Sequence, residues 1–526
     1  MSRWPTVFAR AKQFDARSIP GLALWLDAAD SRTLFQDSVA TIPATATNDP
    51  VGAWLDKSGN GLHVSQATDT RRPSLAPVAG KMAVDFDGAG DFLERPAFTG
   101  SVRTVLTAHV LDVVNASQVL YSIRNAAPNG LAMLVSASGD YRAAVRDTIE
   151  SFFASGFVAT PGVARVTHHT FTGSSDPVTP VDVAVDGVPL QQSTTSSFGN
   201  NQSILLGCRL ASASVYDVAL NGKLCEVIAY DRVLSAAEIA SVRRHLAAKW
   251  GIALAPQASN ADAQGWVNRV YQNGGTVSTS TAAAVNAFCN AIDAAGIRDR
   301  FFRLNLFAGT GLNACLVPLY RGPSLGGTQY GGVTDTNVNF VSGDYVETVG
   351  LNANGEEGAT VKHLDTGVIA ASLPTLATGH LGVWRAAYSS QGTTAAMIGS
   401  RNTSQVYGVR SNGSSRIEGQ WGGAWTLSAL QYTASGLYLA SRTSFTRVDV
   451  YKDTQSIASS TSVESPSAFD GSVVVFSTRT SSTTVTVGGF PGTIHCYTIG
   501  AALSSAQVGD FHSALRTLML ALGRNV

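Results

Sequence analysis

The stretch Val181-Asp182-Val183-Ala184-Val185-Asp186, running into Gly187, alternates apolar and polar residues and ends in an Asp-Gly pair. Alternation with period two predicts a half-buried strand, and Asp-Gly predicts a tight hairpin turn. The same text returns 267 residues later as Val448-Asp449-Val450-Tyr451-Lys452-Asp453. Three further matches follow in the same order. Ser203-Ile204-Leu205-Leu206 matches Ser472-Val473-Val474-Val475, and Gly222 before a strand matches Gly492. Leu234-Ser235-Ala236-Ala237-Glu238-Ile239 then matches Leu503-Ser504-Ser505-Ala506-Gln507-Val508, and these three spacings are 269, 270 and 269 residues. Self-similarity at a nearly constant offset marks a repeated structural unit. The chain therefore reads as an all-β protein of two tandem copies, each closed by a C-terminal helix.

Other segments fit this reading. Leu22-Ala23-Leu24-Trp25-Leu26 is a short apolar run, Trp54-Leu55-Asp56 leads into the turn Lys57-Ser58-Gly59-Asn60-Gly61, and Ala83-Val84-Asp85-Phe86-Asp87 alternates into Gly88. Ser235 with Glu238 three residues on predicts a capping box, and Ile239, Val242, Leu246 and Trp250 recur at helical spacing until Gly251 stops the run. Residues 253–263 are small and polar with a proline, the composition of a linker. Beyond them Trp266, Val267 and Val270, then Val285, Phe288, Cys289 and Ile292, predict short helices before the strand texture resumes. The expected organisation is an N-terminal arm over 1–19, a first sandwich over 20–253, a linker with short helices over 254–303, and a second sandwich over 304–526.

Composition narrows the function. Charged residues make up 14% of the 526, and 37 Lys+Arg balance 37 Asp+Glu, so no basic face is expected for nucleic acid or an anionic membrane. Only 7 of the cations are Lys, which leaves few strongly hydrated charges and suits a chain packed among partners. Residues 1–10 carry no apolar run of signal-peptide length, which predicts synthesis in a cytoplasm. The five cysteines are widely spaced without a C-x-x-C pair and are expected to be buried thiols, with a Cys208–Cys225 bridge as the alternative.

Taken as a set, GLALWLDAAD (21–30), WLDKSGNGLHVSQAT (54–68), VDFDGAGDFL (84–93), VAVDGVPL (183–190) and EVIAYDRVLSAAEIASVRRHLAAKWGI (226–252) resemble the LamG-like, concanavalin A-like jelly-roll domains of bacteriophage and bacterial surface proteins. The second half resembles a relative of that fold seen in phage structural proteins. The resemblance lies in NADAQGWVNRV (260–270), LVPLY (316–320), NFVSGDY (339–345) and GLNANGEEGATVKHLDTGV (350–368). It departs from the first half where Ala501-Ala502 replace Asp231-Arg232. The resemblance implies a double-sheet sandwich in each half and a virion as the address; it implies no reaction.

The residues themselves point the same way. Glycan hydrolysis on a jelly roll needs two or three acids alternating on one strand, and only Asp85-x-Asp87 and Asp182-x-x-x-Asp186 approach this, both entering glycine turns. No catalytic residue is assigned. Asp85, Asp87 and Asp91 crowd around Gly88 and Gly90 and are the candidate calcium ligands, although the distal bidentate Glu of an EF-hand loop is missing; no other cofactor is expected. Trp421 and Trp425 stand among glycines in Gly419–Trp425 and are the candidate glycan-binding aromatics. His168-His169 would point to opposite faces of a strand and cannot share a metal. The expectation is thus a non-enzymatic phage virion protein, tail or tail-fibre associated and anchored by its N-terminal arm. Its expected partners are other virion proteins, further copies of itself within the particle, and a host surface glycan. A capsid decoration protein or a glycan-binding host adhesin are the alternatives.

Overall fold

The computed structural model describes residues 14–524, apart from 99, 101, 125–129, 147–149, 171–179, 190–192, 195–201, 213–214, 355–361, 375–376, 390–391, 393, 402–405, 462–469, 481–484 and 486–488. The chain divides into two compact units, Met1–Leu254 and Ala255–Val526. Each is a sandwich of two antiparallel sheets.

In the first unit, one sheet runs in the order Val188–Pro189, Pro180–Val185, Ala164–Thr170, Thr104–Leu111, Asn221–Tyr230, Lys81–Asp87 and Ser74–Val78. Leu22–Asp27 also pairs with Asn221–Tyr230. The facing sheet runs from Glu150–Val158 through Asp140–Arg146, Gly130–Val135, Gln118–Arg124, Gln202–Leu206 and Leu93–Phe98 to three two-residue strands. Two polar contacts bridge the sheets inside the core: His109 Nε2 with the Tyr141 hydroxyl (2.8 Å), and His169 Nδ1 with the Tyr121 hydroxyl (3.2 Å). Burial pushes the His109 imidazole down to about 3, so it stays neutral there.

The second unit repeats this plan. One sheet runs Tyr345–Val346, Gly350–Asn352, Thr493–Gly500, Gly379–Arg385, Gly436–Ser444, Arg447–Lys452 and Gln455–Ser460, with Phe301–Asn305 also on Thr493–Gly500. The other runs Thr336–Val338, His363–Ile369, Ser472–Val475, Ala395–Arg401, Val406–Ser411, Arg416–Trp421 and Thr426–Gln431. Every block of the sequence repeat falls on matching elements, and both units are jelly-roll sandwiches of the concanavalin A-like kind.

The closing helices form as their sequences dictate. Ala236–Trp250 starts at a capping box between Ser235 and Glu238 and ends at Gly251 in the left-handed region (φ 68°). Its stripe Ile239, Val242, Leu246 and Trp250 is buried, and it packs on the strands Thr104–Leu111 and Ala164–Thr170. Ser505–Ala521 starts at the equivalent Ser504–Gln507 box.

Two boundaries differ from the sequence expectation. The tail end of the arm is part of the sandwich: Ala16 and Ile19 join the core around Trp25, the Tyr230 hydroxyl donates to the Ala16 carbonyl (3.2 Å), and Phe14 stacks on His245 at 4.4 Å. Burying these apolar side chains outweighs the polarity of Asp15, Arg17 and Ser18, which cap one another at the surface. Residues 1–13 lie outside the described part. The helices expected between the sandwiches, Ala261–Gln272 and Thr279–Ala294, are built into the second unit. Trp266 Nε1 donates to the Val317 carbonyl (3.1 Å), and Phe288 meets Phe511 of the closing helix at 6.5 Å. All five cysteines are free and buried.

Candidate functional site

Three of the five first-half stretches that carry the resemblance, 21–30, 54–68 and 226–252, meet in one polar network inside the first unit. Glu226 sits in the middle of the apolar strand text Leu224-Cys225-Glu226-Val227-Ile228 and is fully buried. Its Oε1 accepts from Trp25 Nε1 (2.8 Å) and meets His245 Nε2 (3.3 Å); its Oε2 accepts from Lys249 Nζ (2.7 Å) and Trp250 Nε1 (3.0 Å). Lys249 also pairs with Asp27, which pairs with Lys57 (2.8 Å), and Lys57 lies 4.6 Å from the Trp25 ring centre. Asp56 accepts from the Trp25 backbone N–H (2.9 Å) and from Ser58 and Leu62, while the Asp56 N–H donates to His63 Nδ1 (2.9 Å). Burial alone would raise the Glu226 carboxyl, but the His245 contact and the Lys249 charge outweigh it and hold the group well below the usual carboxylate range.

This network is closed. Both Glu226 oxygens are engaged by the two indoles and the closing helix, so no position is left for an atom from outside. Chemically, it is a staple that fastens the helix to the strands Leu22–Asp27 and Asn221–Tyr230.

The second unit shows what replaces it. In both units the first strand slips after its first residue: Leu22 opposes Tyr230 and Leu24 opposes Ala229, as Phe301 opposes Gly500 and Arg303 opposes Ile499. The opposite neighbour slips at Leu224/Glu226 in one unit and at Ile494/Cys496 in the other. Glu226 therefore corresponds to Cys496, and Trp25 to Leu304. Aligning the capping serines places Ala514, Leu518 and Met519 at the positions of His245, Lys249 and Trp250. All are buried. One copy builds its staple from charges and indoles and the other from apolar side chains, an exchange that buried ion pairs tolerate when every member is replaced together.

The candidate aromatics do not form a binding face. Trp421 is 1% exposed, meets Tyr407 edge-on at 5.4 Å, and lies in the main core of the second unit. A Cβ on Gly379 would come within 2.2 Å of its ring, so the indole fills the space that glycine leaves. The alternation of Arg416–Trp421 turns Ile417 and Trp421 inward, and the glycines beside Trp421 do not lift it out. Trp425 is half-buried and carries the Arg410 guanidinium 4.1 Å from its ring centre, with Arg410 paired to Glu418. The structure thus separates the two indoles and occupies the face of the accessible one.

The acidic candidates are also spent locally. Asp85 faces Lys223 (3.3 Å), Asp87 accepts from the Ala89 N–H (2.7 Å), and Asp91 accepts from the Asp87 N–H (3.2 Å). Among the described residues no group of three or more His, Cys, Asp or Glu side chains could hold a metal ion. Burial, with the charges of Asp87 and Asp85 beside it, pushes the Asp91 carboxyl up to about 6. The folded chain therefore holds a proton that the unfolded chain has lost between about pH 4 and 6, and stability falls as pH rises through that window. Asp91→Asn is expected to remove this slope and to be the more stable protein at pH 7, as read by chemical denaturation at stepped pH.

No family model matches the sequence, and no curated protein matches it. Solved structures similar in part include the NanB sialidase of Streptococcus pneumoniae, at 16% identity and a TM-score of 0.25 over 30% of this chain and 26% of that one. A SAP-like pentraxin of Limulus polyphemus matches at 13% identity and 0.27 over 31% and 81%. The CBM40 of a Ruminococcus gnavus sialidase, bound to α2,3 sialyllactose, matches at 14% identity and 0.24 over 31% and 95%. The chain spans about a quarter of the length of the S. pneumoniae sialidase. Likenesses of this size say nothing about function. No helix among the described residues is long and apolar enough to cross a membrane.

Proposed function

We propose that the chain is a non-enzymatic structural protein of a bacteriophage particle, tail or tail-fibre associated, attached through its N-terminal segment and presenting its two sandwiches as contact modules to other virion proteins and to further copies of itself. The observation that carries this reading is the closed network around Glu226. Residues of the resembling motifs are used to brace a scaffold, and a braced scaffold with few charges suits permanent packing among neighbours. Decoration of the capsid uses the same contacts at a different address.

Because Phe14, Ala16 and Ile19 belong to the sandwich, the attachment segment to test is 1–13. Deleting it is expected to leave the melting profile unchanged and to abolish co-sedimentation with assembled particles. A truncated chain that still co-sediments overturns the attachment role, and gold labelling of intact particles separates tail from capsid.

A further inference from the structure

Lys249 is shared by two buried acids. Its Nζ donates to Glu226 Oε2 (2.7 Å) and to Asp27 Oδ1, and the side chains of Glu226, Asp27 and Lys249 are 0%, 7% and 16% exposed. An amine, a carboxyl beside it and a second carboxylate touching the same amine are the groups that amide condensation needs. They come from elements far apart in sequence, the strands Leu22–Asp27 and Asn221–Tyr230 and the helix Ala236–Trp250. The fold thus supplies the proximity and orientation that a free amine and a free acid lack. Trp25 Nε1 and Trp250 Nε1 both donate to Glu226, and their indoles help to keep water from it. The Asp27 carboxyl has donors of its own: Lys57 Nζ on Oδ2 (2.8 Å) and the Ala29 N–H on Oδ1 (3.1 Å). Donors held in place on a carboxyl stabilise the oxyanion that forms when its carbon is attacked.

We propose that Lys249 and Asp27 condense into an amide that ties the closing helix covalently to the first strand. Nζ gives a proton to Glu226 Oε2 and attacks Cγ of Asp27, and the new C–N bond forms as the bond from Cγ to Oδ1 breaks. Glu226 passes its proton to Oδ1 and a second proton follows from Nζ, so Oδ1 departs as water. The ammonium and carboxylate charges cancel, one hydrogen stays on the amide nitrogen, and Glu226 ends as it began. Oδ2 remains as the amide carbonyl facing Lys57, and the amide N–H keeps its donation to Glu226. The step consumes no oxidant or cofactor and happens once per chain. It is independent of the virion reading, since it requires no partner. The second unit is an internal control that cannot react: counting on from the match of Trp25 with Leu304, the positions of Asp27, Glu226 and Lys249 hold Leu306, Cys496 and Leu518.

The test is the mass of the full chain, folded and then denatured, followed by a tryptic map. The expected chain is lighter than its sequence by one water, and the map contains a branched peptide that joins residues 18–32 to 245–269 and is uncut at Lys249. Lys249→Arg and Glu226→Gln are each expected to restore the full sequence mass. Hydrogen exchange over 221–250 establishes that Glu226→Gln is folded when its mass is read. A folded wild-type chain at full sequence mass overturns the proposal whatever the variants do. So does a water lost elsewhere in the map, or a loss that persists in Lys249→Arg or in folded Glu226→Gln.

Discussion

Glu226→Ala is expected to destabilise the first unit by about 3–5 kcal/mol, the usual loss when one partner of a buried ion pair is removed and the other is left unpaired. The side chain holds Lys249 and accepts from both Trp25 and Trp250, so its loss leaves two buried indole N–H groups and a half-buried ammonium with fewer partners at one stroke. Hydrogen exchange of peptides covering 221–250 reads the loss locally and separates it from the second unit. Cys496→Ala, the corresponding change in the other copy, is expected to cost about 1 kcal/mol because it removes one small apolar group and no hydrogen-bond acceptor. Equal losses in the two units would mean that the Glu226 network is a passenger. The acid behaviour follows with a definite sign. The Glu226 carboxyl is depressed in the folded chain, so its contribution is complete above the ordinary Glu value and is lost as pH falls through the lower folded value. The wild type should therefore lose stability below about pH 4.5 more steeply than Glu226→Ala.

Trp421→Ala is expected to cost the second unit about 3–5 kcal/mol, as for other fully buried large aromatics, because the indole packs on Tyr407 and fills the space over Gly379. Trp425→Ala should cost about 1 kcal/mol or less, since its ring is half-buried and one face carries the Arg410 guanidinium. Urea unfolding of the two variants side by side makes the comparison. A Trp421→Ala protein as stable as the wild type would mean that the indole does not fill the core of the second unit. Such a result would return it to the candidates for surface recognition.

Much of the fold was legible in local text. The alternation at 181–186 and 448–453, the Ser235–Glu238 and Ser504–Gln507 starts, and the stop at Gly251 each depend on residues within a few positions, and each became the element expected. The candidate site was not legible in this way. Trp421 and Trp425 are four residues apart in equally glycine-rich text, yet one is core and the other is not, because the strand pairing and the space over Gly379 decide which indole turns inward. Glu226 did leave a signal, an acid inside an apolar strand run. Its partners lie 201 residues upstream at Trp25 and in the helix beyond, so the text alone could not close the network.

The sequence by itself determined that the chain is two copies of one β-rich unit, since periodicity, caps and turns are short-range properties repeated at a constant offset. Only the tertiary structure decided that the first copy is stapled by charges and the second by apolar side chains. The physical reason is that burial, and with it the cost of leaving a polar atom unpaired, depends on which residues far apart in the chain a shared register brings together.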